Sequence, residues 1–571
     1  MLKFARCVAI SSMALMTVGL SAQENVTLNG SIQSDILLPQ EDKAIGTKYD
    51  SNSDILTNTY ADLHLRSKWV DAGARVEFME YPLPGFERDF QGWGVPHIYV
   101  KGKFGNGWEV TLGDFYDQFG SGFIFRAYEE RSLGIDNSIR GLRLNMSAID
   151  GLNLKVLGGL QRRYWDWDDE AIVGGADAEL SIDRFSTKMQ DKGINWMVGA
   201  SFVAKKEDDE IQEVIGTNYR LNFPEVVTAF DVRTRYQQGN YSLMAEYAIK
   251  SQDPSVLNDF IYKKGNALML SASYSKRGMS ALVQAKRSED MSFRSLRKSG
   301  KNRFLTAAYL NHMPAFAYQH TYALAALYPY ATQLAGGEWA MQGEFGYTFK
   351  RNTFLGGKYG TSLKLNISHI RGLEKKNVCS VEPNKEYLLW GTDGYSSSFF
   401  KMGEVYYQDI NLQLEKKISK ALKINLMYMN QHYNQEVIEK HENGGMIKSD
   451  IFVAEGKYQF NKKLTLRGEV QYLTTSHESG DWMYGLLELS VLPYLMFTVS
   501  DMYGKPSETM GSEIIYKNKE HYYMASVTFN YDAHRIMLGY GRTRAGFNCS
   551  GGVCRLVPAS KGVNISYNYS F

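Results

Sequence analysis

The chain has 571 residues, 64 Lys+Arg against 62 Asp+Glu, a formal charge of +2 and a mean hydropathy of −0.34. This balance excludes a basic nucleic-acid-binding surface. After the first twenty residues no run is apolar enough for a membrane helix, so a membrane role must be carried by strands.

The first elements are those of an exported protein. Lys3 and Arg6 precede an uncharged apolar run, Val8 to Leu20, and Leu20-Ser21-Ala22 before Gln23 ends in small residues. Residues 1–22 read as a secretory signal peptide, and 23–571 as the mature protein. Cys7 lies too far from the cut site to carry a lipid. Without Lys3 and Arg6, basic and acidic residues balance at 62 each.

From Asn25 onward the sequence reads as strands of about ten residues with two unlike faces. Val26 to Ile32 comes first. In Thr59 to Trp69, Ala61, Leu63 and Leu65 alternate with Asp62, His64 and Arg66. Ala72–Tyr81, His97–Phe104 and Trp108–Phe115 follow. Short connections such as Val70-Asp71, Gly105-Asn106-Gly107, Gln238-Gly239-Asn240 and Asp532-Ala533 carry the residues of tight hairpins. They alternate with long polar loops, among them Pro39–Leu56, Tyr116–Asn137, Gly372–Ser398 and Gly546–Pro558. Reading Arg303–Leu310, Tyr318–Tyr328 and Trp339–Phe349 as three further strands gives an all-β, large antiparallel transmembrane barrel of about 26 strands, with 24 as the alternative and no separate plug domain. Short turns are then periplasmic and long loops extracellular.

The polar faces imply a wet lumen carrying both signs of charge. Asp231, Arg233 and Arg235 share one face, as do Thr465, Arg467, Glu469 and Gln471. A very large soluble sandwich is the competing architecture, but sheets of that size split into domains.

One stretch combines glycines, aromatics and dense charge. It runs from Gly113-Asp114-Phe115-Tyr116 through Gly120-Ser121-Gly122 and Arg126 to Glu129-Glu130-Arg131, Asp136 and Arg140. It suggests a loop folded back into the barrel. Asp114, Arg126, Glu129, Glu130, Arg131, Asp136 and Arg140, with Arg233, Arg235, Arg467 and Glu469, are candidates for a pore constriction. The plainer reading is an ion-pair network that stiffens the loop. In Tyr164-Trp165-Asp166-Trp167-Asp168-Asp169-Glu170, an outer loop could present carboxylates to a cation or a sugar, though without a calcium-loop spacing. Ser288–Arg303 carries Arg294, Arg297, Lys298, Lys301 and Arg303, which could meet lipopolysaccharide phosphates or simply face water.

Cys549 and Cys554 flank a Gly-Gly turn and are expected to form a disulfide at the outermost point of the last hairpin, leaving Cys379 free. The ten histidines show no metal-ligand spacing, and no catalytic motif stands in a usable context, so neither an enzyme nor a cofactor is expected.

The last strand, Val563 to Phe571, places Val563, Ile565, Tyr567, Tyr569 and Phe571 on one side and Asn564, Ser566, Asn568 and Ser570 on the other. Its terminal aromatic resembles the signal read by the outer-membrane insertion machinery. With the Ala22–Gln23 cut site and the 113–141 stretch, it resembles an uncharacterised outer-membrane β-barrel family of the Bacteroidetes. That resemblance implies a barrel in the outer membrane of a Gram-negative cell and supplies no catalytic residue.

Strand sequence from Asn25 leaves no room for the plug domain of a TonB-dependent receptor. A TonB-independent, porin-like channel for a polar solute with inward-folded loops is therefore expected. The alternative is a structural or assembly barrel that binds a surface lipoprotein or another envelope protein. Expected partners are outer-membrane lipids, lipopolysaccharide and the insertion machinery, with no nucleic acid.

Overall fold

Period-2 patterning across most of the chain closes into one antiparallel barrel of 24 strands. The computed structural model describes residues 26–571 except 49–52, 106, 164, 209–211, 215–217, 219, 296–308, 381–385, 442–443, 478–479 and 506–519. The expected signal peptide lies outside the described residues. The wall consists of β1 (Val26–Pro39), β2 (Leu56–Ser67), β3 (Val70–Met79), β4 (Gly92–Phe104), β5 (Trp108–Phe115), β6 (Ile139–Ile149), β7 (Leu152–Arg163) and β8 (Asp166–Ser181). It continues through β9 (Ile194–Glu207), β10 (Val226–Gln238), β11 (Tyr241–Lys250), β12 (Gly265–Lys276), β13 (Met279–Glu289), β14 (Glu338–Phe349), β15 (Thr361–Asn377) and β16 (Tyr395–Lys417). The last third comprises β17 (Leu422–Asn434), β18 (Met446–Gln459), β19 (Leu464–Thr475), β20 (Asp481–Val491), β21 (Leu495–Lys505), β22 (His521–Tyr531), β23 (His534–Thr543) and β24 (Ser560–Ser570).

Each strand pairs with its sequence neighbours, and β24 pairs with β1 from Ser31–Ser570 to Pro39–Gly562, so the sheet has no free edge. Phe571 completes the seam. Its amide and carbonyl both bond Gly30, and its ring lies over that glycine, where an added Cβ would fall within 2.4 Å of the ring.

The outward parity is apolar and open: Leu63, Ile98, Leu112, Val232, Leu270, Val283, Val470, Leu487 and Val499 are all exposed. Aromatic pairs gather at the turn ends of the strands, Tyr241–Tyr274, Tyr347–Phe349 and Tyr458–Phe460 among them. An apolar band finished by an aromatic girdle is the outer surface of a transmembrane barrel.

The count of 26 gives way to 24 in one place. Trp339–Phe349 is a strand as expected, but Tyr318–Tyr328 is not. Nor is Tyr309–Leu310, the part of the proposed Arg303–Leu310 strand that lies within the described residues. The described parts of the segment between β13 and β14, 290–295 and 309–337, leave the wall and enter the lumen. There β13 and β14 pair directly in uninterrupted register, Ser288 with Glu338 through Met279 with Tyr347. The supposed acidic outer loop is also shorter than expected: Asp166 to Glu170 belong to β8. Of the basic loop, Arg297, Lys298, Lys301 and Arg303 lie outside the described residues.

Candidate functional site

Among the described residues, the lumen is filled mainly by 116–138 and by the plug, 290–295 with 309–337. They bond to each other through backbone groups: Arg126 N–H donates to the Leu310 carbonyl (2.8 Å) and His312 N–H to the Gly122 carbonyl (2.9 Å). The Asn311 amide donates to the carbonyls of Met291 (2.7 Å) and Phe123 (2.9 Å), tying plug to loop. Gly122 supports this approach with φ +94°, a conformation closed to most side chains.

Phe119, Phe123, Ile124 and Phe125 of the loop pack with Met291, Phe293, Met313, Phe316, Leu324 and Leu327 of the plug. Small inward wall residues face them, including Val173, Val203, Ala229, Ala248 and Ala267. The barrel therefore holds an apolar core of its own on its long-loop side, which the expectation of a wet lumen lined by both signs of charge did not include.

Three buried wall lysines anchor the plug. Lys205 on β9 donates to the Arg294 carbonyl and pairs with Glu207 (2.9 Å) and Asp253 (3.0 Å). Lys250 on β11 donates to the Ser292 carbonyl (2.8 Å). Lys286 on β13 donates to the Pro314 carbonyl (2.6 Å) and pairs with Glu338 (2.9 Å). Glu338 in turn accepts from the Tyr330 hydroxyl and the Gln333 amide. A buried ammonium needs such partners. Sequence reasoning missed these lysines; the available signal was a lysine on the inward parity where a strand runs into a long loop.

Deeper in the barrel the plug rests on polar wall residues. His320 lies 2.7 Å from Asp409, Tyr322 donates to Glu455 (3.1 Å), and Leu324 N–H donates to Gln471 (2.8 Å).

The candidate constriction residues divide. Arg131 pairs with Glu129 (2.6 Å) and Asp62 (2.7 Å) and covers the Tyr60 ring. Asp136 pairs with the wall arginines Arg75 and Arg162 and accepts from Tyr116 (2.9 Å). Burial alone would raise the Asp136 carboxyl; Arg162, Arg75 and the Tyr116 hydroxyl outweigh it and hold it below the ordinary carboxylate range. Arg75 also binds Asp62 and Glu129, and Arg162 binds Glu77, so the loop docks on a buried ion-pair cluster. Glu130 accepts from Ser132, and Arg126 lies over the Tyr128 ring.

Asp114 and Arg140 pair with each other at 2.8 Å, but they share the parity of the exposed Leu112 and Leu142. Their parity is that of the outward face, although the Asp114 carboxylate is itself buried and accepts from Ile98 N–H (2.7 Å). Arg233 is buried among Asp177, Asp231 and Glu179 on the wall, whereas Arg235 is exposed. Beside Arg233, Glu246 accepts from the Ser121 hydroxyl (2.6 Å), holding loop 116–138 to β11. Arg467 joins Glu455, Glu469 and Glu488 below the plug.

Cys549 and Cys554 are bridged, and Cys379 is free. The bridged hairpin is not outermost. It turns inward: Gly552 abuts Ala315 and Thr332 of the plug, its carbonyl accepts from Thr332 N–H (2.9 Å), and Asn548 reaches Ser132. Among the described residues no group of His, Cys, Asp or Glu is arranged to hold a metal ion.

Solved barrels are similar to this chain at low identity. The siderophore receptor PirA from Pseudomonas aeruginosa shares 9% identity over 95% of this chain and 80% of its own, with a TM-score of 0.40. Acinetobacter baumannii OccAB3 shares 10% over 96% and 100%, with a TM-score of 0.36. Salmonella typhi OmpF, solved with daunomycin, shares 13% over 65% and 96%, with a TM-score of 0.29. No curated protein matches the sequence. The model of the family of unknown function DUF6029 matches residues 1–571, and the chain belongs to that family.

Proposed function

We propose that this protein is an outer-membrane channel for a polar solute, independent of TonB, whose resting pore is closed by its own chain. The apolar outer band and aromatic girdle support the location. The observation that carries the function is the insertion of the plug between two paired wall strands, anchored through Lys205, Lys250 and Lys286. A plug so attached can shift without opening the wall. The mixed-charge surface of Arg467, Glu455 and Glu488 beneath it suits a polar solute.

Planar-bilayer recording of the purified protein tests this. Discrete openings are expected from the wild type, and more frequent ones after Lys250→Met, which removes an anchor to the plug backbone. The apolar core within the lumen favours a second reading, a sealed assembly barrel that binds a surface lipoprotein. Electrical silence of both proteins, with a stoichiometric lipoprotein co-purifying, would move the assignment there.

A further inference from the structure

A cavity of about 410 Å³ lies on the long-loop side of the plug. The plug forms its floor with Tyr309–Met313 and Ala331–Gly336, and the disulfide hairpin closes one side with Gly552–Cys554. Leu257, Ile261, Leu389 and Ile438 from the outer loops give it an apolar flank. Its volume is that of a small-molecule site.

The polar part of the lining is incompletely satisfied. His312 Nδ1, Thr332 Oγ1 and the Tyr395 hydroxyl are buried and have no hydrogen-bond partner among the described residues. Buried polar atoms are ordinarily bonded, so three around one cavity call for an explanation. His312 is held neutral: burial, then Arg126 and Lys286, push it down to about 3. Its Nδ1 can therefore accept or donate. Lys375 also lines the cavity. Its ammonium lies 4.2 Å from the centroid of the Tyr395 ring, and no carboxylate comes within 4 Å of it among the described residues.

The backbone around the cavity is also strained. Asp259 and Lys440, both lining residues, and Phe260 beside them hold φ between +51° and +57°. Non-glycine residues in that region cost free energy and gather at binding sites.

We propose that this cavity binds a small amphipathic organic anion. The Lys375 ammonium pairs with its acidic group, the unpaired His312 and Tyr395 atoms complete the head-group contacts, and the apolar flank covers its hydrocarbon or aromatic body. The site stands whether or not the barrel conducts, because it requires only the closed arrangement described above.

Calorimetric titration of the full-length protein in lipid nanodiscs tests it, with 2-naphthoate as the probe, 2-naphthamide as its neutral counterpart and empty nanodiscs as the control. Saturable binding of one naphthoate per barrel is expected, at least tenfold tighter than naphthamide. Lys375→Gln should weaken naphthoate at least tenfold and leave naphthamide unchanged, while Lys375→Arg restores it. Both variants should keep the heat-modifiable gel mobility of a folded barrel. Naphthoate uptake no greater than in empty nanodiscs, equal affinity for the two probes, or an unaltered affinity in folded Lys375→Gln would each overturn the assignment.

Discussion

The ammonium of Lys286 lies 2.9 Å from the carboxylate of Glu338, and neither side chain is accessible to solvent. One residue stands on β13 before the plug leaves the wall, and the other opens β14 where it returns. The pair clasps the base of the plug.

Breaking this clasp from one side leaves a buried charge without its partner, which costs roughly 3–5 kcal/mol. Lys286→Met or Glu338→Leu alone should therefore lower the unfolding temperature read by heat-modifiable gel mobility. The double variant should recover much of the loss. Additive losses in the double variant would show that the two side chains do not act as a pair.

Asp136 makes the loop sensitive to acid. Its folded-state carboxyl is held below the ordinary aspartate range, so its contribution is complete above that range. The contribution is lost as pH falls through the depressed value. Protease cleavage within 116–138 should therefore rise on acidification below about pH 4, given an ordinary aspartate near that value. Asp136→Asn should be cleaved readily at neutral pH and respond little to acid. An unchanged cleavage rate in the variant would count against the role given to this carboxylate.

The disulfide closes a small loop, which limits its effect to roughly 2 kcal/mol by loop-closure reasoning. Peptide mapping of unreduced protein should recover Cys549 and Cys554 on one bridged fragment and Cys379 as a free thiol. Replacing both bridged cysteines with serine should leave the barrel folded. Failure of the double variant to fold would mean that the hairpin holds far more than its own tip.

Gly30 and Phe571 form the closing contact. A methyl group at position 30 would meet the terminal ring at 2.4 Å, so Gly30→Ala should displace it. The fraction of refolded protein with barrel mobility should fall, and Phe571→Ala in the same chain should relieve part of the defect. No difference between Gly30→Ala and wild type would remove this contact from the account of closure.

Much of the wall was legible because one strand face meets water or charge and the other meets lipid, and Asp62 against Leu63 or Arg467 against Val470 records that difference. The inward loop 116–138 was legible through Gly120, Gly122 and its charges. The partners of those charges were not, because Arg75 and Arg162 come from distant strands. Tyr318–Tyr328 misled because Tyr318, His320, Tyr322 and Leu324 alternate like a strand while meeting the wall and an internal core. Period two marks two unlike surroundings and does not say whether either is lipid. Pro314 and Pro329, which bracket this stretch, were the available warning. The cavity was not legible, since its sides come from the plug, the outer loops and the final hairpin.

The pairing of β13 with β14 around the plug sets the seam apart from the tight hairpins of the wall. Joining these strands requires closing a long stretch of chain, which by loop-closure entropy costs about 3 kcal/mol more than a two-residue turn. The ladder and the Lys286–Glu338 clasp must recover that difference. Under pulling force or partial denaturation, opening of this seam would release the plug as slack into the widening gap.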